Sequence, residues 1–63
     1  MDKKTLIARL RQLQAADRNA LAIYTDLTEL VQDAGQHRIF SGIAKDEKLH
    51  VALGKEILSL LES

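Results

Sequence analysis

Apolar residues recur at alternating steps of three and four along almost the whole chain. Leu6, Leu10, Leu13, Asp17, Ala20, Tyr24, Leu27 and Val31 form one such row, and Phe40, Ile43, Glu47, His50, Gly54, Ile57 and Leu61 form a second. This 3.5-residue spacing is that of helices packed side by side. Between the rows, Asp33-Ala34-Gly35-Gln36 is the one clear break, and Gly35 suits a helix C′ position that needs a left-handed backbone. The pattern predicts an all-α fold, one antiparallel helical hairpin over 1–63 with helices near 4–33 and 37–62. At 1.5 Å per residue each helix would run roughly 40–45 Å. Flanking apolar positions (Ile7, Ile23 and Leu30; Ile39, Leu49, Leu53 and Leu60) widen both stripes beyond what one partner helix covers. The expected assembly is therefore a homodimer, or a higher even homo-oligomer, built as a four-helix bundle.

Composition agrees and narrows the function classes. There is no proline, and Leu, Ala, Lys, Glu, Gln and Arg, all strong helix formers, dominate. Without cysteine, no disulfide, Fe–S cluster or thiolate zinc site can staple a 63-residue chain whose stability margin is thin. Formal charge is zero, with acids and bases interspersed along the sequence, which argues against a nucleic-acid partner. The longest apolar runs are far too short for a membrane span, so no membrane partner is expected. Met1-Asp2-Lys3-Lys4 leads into an Arg-interrupted amphipathic segment and not a signal peptide; a cytoplasmic protein is the expectation.

The candidate chemistry lies where the rows turn polar. In the stretch DEKLH, residues 46–50, Glu47 and His50 are three apart and project from neighbouring turns of one helix face. A carboxylate and an imidazole at that spacing can grip one metal ion. With four Glu and two His in 63 residues the step is weak alone, but Asp17 stands mid-row on the facing helix. A charge on a buried seam costs several kcal/mol unless paired or metal-bound. A symmetric dimer would gather four carboxylates and two imidazoles. Two divalent cations would neutralise the carboxylates, with His50 as a neutral nitrogen ligand. Tyr24, two turns from Asp17, can support a ligand carboxylate from behind by hydrogen bonding, or can be a core tyrosine. The competing reading is a metal-free helical oligomerisation or adaptor module, in which Asp17, Glu47 and His50 set the register. His37 reads as a solvated hinge residue. Gly54, one turn past His50, costs about 1 kcal/mol relative to alanine and suits a close helix approach or room beside the site.

The string Asp17-x-x-Ala20-x-x-x-Tyr24, followed by Glu47-x-x-His50, resembles the ferritin-like pattern Glu-x-x-Ala-x-x-x-Tyr…Glu-x-x-His. It is most similar to rubrerythrin-like di-iron proteins and to encapsulated ferritins, which build the metal site across a dimer of hairpins. The resemblance runs from about residue 13 to the end. It implies a ferritin-like four-helix bundle with two iron ions per dimer, manganese being the alternative. The implied activity is that of a ferroxidase, with Fe(II) oxidised by O₂ or peroxide. Asp17, Glu47 and His50 would be the metal ligands, Glu47 bridging, and an encapsulating shell protein would be a partner. Mixed oxygen and imidazole donors suit either metal. Asp17 departs from the pattern, one methylene shorter than the glutamate it replaces.

Overall fold

The computed structural model describes residues 2–63. Two helices, α1 (Lys3–Leu30) and α2 (Ala34–Glu62), run antiparallel, and no strand occurs among the described residues. Their 28 and 29 residues account for the longest dimension, 46 Å. No described helix is long and apolar enough to cross a membrane.

Both helices start on an aspartate cap. The Asp2 carboxylate accepts from the Thr5 backbone N–H at 2.7 Å, and Asp33 accepts from the Gln36 N–H at 2.8 Å. Each satisfies a first-turn donor that has no partner inside its helix. The second cap corrects the expected boundary. Helix α1 stops at Leu30, residues 31–33 form the connection with Val31 and Asp33 extended, and Gly35 lies inside the first turn of α2. No glycine has a positive φ, so Gly35 does not close α1 as a left-handed C′ residue. Its lack of a side chain has another use: a Cβ there would sit 3.2 Å from the capping Asp33 Oδ1.

The helices meet along rows that differ from the expected ones by a single residue at several places. On α1 the shielded positions are Ile7, Leu10, Gln14, Asp17, Ala20, Leu21, Tyr24, Leu27 and Thr28, with Val31 just past its end. On α2 they are Phe40, Ile43, Ala44, Glu47, Val51, Gly54, Leu58 and Leu61, so Ala20, Leu27 and Ile43 keep their expected places. Leu13 (58% exposed), Ile57 (44%) and His50, expected on the seam, instead lie outside it. Tyr24 and Phe40 close the hinge half, their ring centroids 6.2 Å apart. Arg11 and Glu62 tie the open end at 2.7 Å.

Such a hairpin hides very little. Leu58 is the one buried hydrophobic residue among those described. The accessible surface is 4953 Å², whereas a compact monomer of this mass would show about 4,000 Å². The excess, about 900 Å², is close to one side of a standard protein interface.

Candidate metal centre

Helix α1 contributes Asp17 from its middle, and α2 contributes Glu47 and His50 from adjacent turns. The antiparallel register sets Asp17 level with Glu47, just as it sets Tyr24 against Phe40. One ligand atom from each of Asp17, Glu47 and His50 lies within 4.8 Å of the others. Two donors on one ion at about 2.1 Å can be no more than about 4.2 Å apart, so a small side-chain rotation would close the set. His50 Nδ1 and Glu47 Oε1 are 3.8 Å apart, too long for a hydrogen bond and within reach of a shared cation.

The two α2 donors have opposite surroundings. The Glu47 side chain is 18% exposed, and its Oε2 is shielded with no hydrogen-bond partner. A carboxylate oxygen in that state is costly, and such an orphan calls for a bound cation or another donor. His50 is 54% exposed and stands on the rim. Between them opens an apolar groove of about 510 Å³, lined by Leu10, Leu13, Leu53 and Ile57 around the triad, with Gln14 and Gly54 at its floor.

Gln14 is the residue that sequence reasoning missed. Its Nε2 donates to the Val51 carbonyl at 3.2 Å, pinning α1 to the residue directly after His50. A Cβ on Gly54 would touch the Gln14 amide at 3.6 Å, an ordinary contact, so the glycine lets Gln14 lie across α2 without being forced by it. The signal was present: Gln14 is the lone amide in the row Ile7, Leu21, Thr28 at seven-residue spacing. Tyr24 lies outside the cluster. Its ring packs near Phe40, and it does not line the groove around Asp17, Glu47 and His50. His37 is exposed in the first turn of α2.

No family model, curated protein or solved structure matches the chain. The chemistry of the centre is carried by its own donors: two carboxylates and one imidazole, three positions short of an octahedron.

Proposed function

We propose that this hairpin is an iron-binding protein of the ferritin-like kind, in which two copies pack groove to groove and share a di-iron centre. The observation that supports it best is the shielded, unpartnered Oε2 of Glu47, set within 4.8 Å of donors from Asp17 and His50. One copy offers three donors at the edge of an apolar groove; a second copy facing it supplies three more and covers Leu13, Leu53 and Ile57. Four carboxylates that repel one another in the empty dimer become ligands to two divalent cations, iron or manganese.

With Fe(II) as substrate, the reaction the donor set suits is ferroxidation. Two Fe(II) ions give up one electron each, and one peroxide takes both with two protons to leave two waters. Glu47 and Asp17 favour the more highly charged product ion, because carboxylates stabilise Fe(III) over Fe(II). His50 holds its ion as a neutral donor on the groove rim.

Anaerobic Fe(II) titration followed by calorimetry tests the reading. It should give one tightly held ion per chain, and Glu47→Ala should abolish it. A chain that takes up no Fe(II) or Mn(II), yet assembles, would instead be an oligomerisation module with register-setting polar residues.

A further inference from the structure

The charges that alternate along the sequence are sorted by face once the chain is coiled. On α1, Lys4, Arg11 and Arg18 recur every seven residues and share one exposed stripe. On α2, Lys48 and Lys55 share a second stripe with Glu62, and Arg38 and Lys45 run beside it. The 2.7 Å pair between Arg11 and Glu62 fixes these stripes on the same flank, the one turned away from the groove. One heptad inward from Arg11 and Glu62, the corresponding positions on the two helices are Arg18 and Lys55, both cations. This flank thus holds seven of the nine Lys and Arg residues but only Glu29 and Glu62 of the nine acids, with Asp26 and Glu56 at its edges. Arg11 is the single one of its cations with a carboxylate partner among the described residues. A chain of zero net charge is strongly divided across its width.

We propose that this outer flank binds the phosphate backbone of duplex nucleic acid without reading its sequence. The side chains between the cations are small, Ala8, Ala15, Ala22, Ala52 and Ser59 among them, so a partner can approach the helices closely. Apart from Leu49, 56% exposed at its edge one heptad before Glu56, the flank offers a protein partner no large apolar anchor, whereas such interfaces draw their affinity from clusters of buried aromatic and aliphatic groups. Phosphate contacts require only cations and donors. Single strands are disfavoured as well: the two aromatic residues, Tyr24 and Phe40, face each other in the seam, leaving no stacking platform. Cations spread along about 25 Å of helix match roughly seven base pairs at 3.4 Å each. The proposal does not rest on the metal reading, and packing through the groove leaves the flank free.

Fluorescence anisotropy with a 30-base-pair mixed-sequence DNA duplex, in the presence of a chelator, tests it. Binding should be measurable at 50 mM salt and, for five phosphate contacts, weaken about 500-fold at 200 mM. Arg18→Glu combined with Lys48→Glu and Lys55→Glu should abolish it while helicity by circular dichroism is kept. Should the triple variant unfold, single Lys45→Ala and Lys48→Ala exchanges should each reduce the salt slope by about one. Absence of binding at 50 mM salt, affinity indifferent to salt or to these exchanges, or equal or tighter binding of a single strand, a polyglutamate peptide or phosphatidylserine vesicles would overturn the assignment.

Discussion

The two flanks of this hairpin are built from the same two helices and have opposite chemistry. One carries Leu13, Leu53 and Ile57 around a partly shielded carboxylate–imidazole cluster. The other carries exposed lysines and arginines spaced by alanine and serine. An exposed Lys is content in water, whereas an exposed Leu or a half-buried, unpartnered Glu is not. The groove flank is thus incomplete as it stands, and the outer flank is complete. Stability and assembly should depend on the first and be indifferent to the second.

The largest effect expected from that contrast is on assembly. Leu53→Glu puts a charge into the proposed dimer face at a cost of several kcal/mol. It should convert an even oligomer into a poorly helical monomer in sedimentation velocity, while Lys48→Glu on the outer flank leaves the mass unchanged. Equal effects from both exchanges would erase the distinction between the flanks.

Next comes the metal. His50→Ala removes one nitrogen donor per chain, and Fe(II) affinity should fall by at least tenfold, with the apo assembly intact because His50 stands on the rim. Saturation with a hundredfold excess of metal over Kd should stabilise the parent by about 2.7 kcal/mol per chain, roughly 20 °C in Tm for a chain this short. Asp17→Asn should raise the Tm of the apo protein by relieving carboxylate repulsion, and shrink that metal-induced rise. A destabilised apo variant with an intact metal response would make Asp17 a structural residue.

Gly54→Ala is a smaller and sharper probe. Within one hairpin the new methyl meets Gln14 at no less than 3.6 Å, so helix propensity should add up to about 1 kcal/mol. If the hairpin gains helicity while the oligomer weakens in sedimentation, a second copy occupies the space over Gly54. If both gain, the groove floor lies clear of the interface.

The smallest effect belongs to the end of α1. The Thr5 backbone N–H holds the Asp2 carboxyl below its ordinary 3.8, and its hydroxyl neighbourhood adds to this. A carboxyl depressed in the folded state contributes stability that is full above pH 3.8 and is lost as pH falls through the lower folded value. An Asp2→Ala variant should therefore differ from the parent in Tm at pH 6 and converge on it near pH 2.

Much of this was legible in the one-dimensional pattern. Two helices, their antiparallel return and the level placement of Asp17 and Glu47 follow from the 3-4 spacing and a single break. The pairing rows did not. Each helix carries two neighbouring 3-4 rows one residue apart, such as Leu6 and Leu13 beside Ile7 and Gln14 on α1, or His50 and Ile57 beside Val51 and Leu58 on α2. Both rows are apolar enough to be core, and spacing alone cannot say which one meets the helix of the same chain. The hinge falls earlier than the spacing predicts for a local reason: the Asp33 carboxylate caps α2 at the Gln36 N–H, which places Gly35 inside the first turn. The division of charge was invisible for the same reason as the rows, since cations seven residues apart look scattered until they are wound onto one face.

Native mass spectrometry under anaerobic conditions, on protein loaded with Fe(II), reads assembly and metal content on the same particles. A dimer, or an even multiple of it, carrying two irons per pair of chains is expected, with metal-free chains from the Glu47→Ala variant. A folded monomer, or a dimer that never carries iron, would contradict a shared di-iron centre.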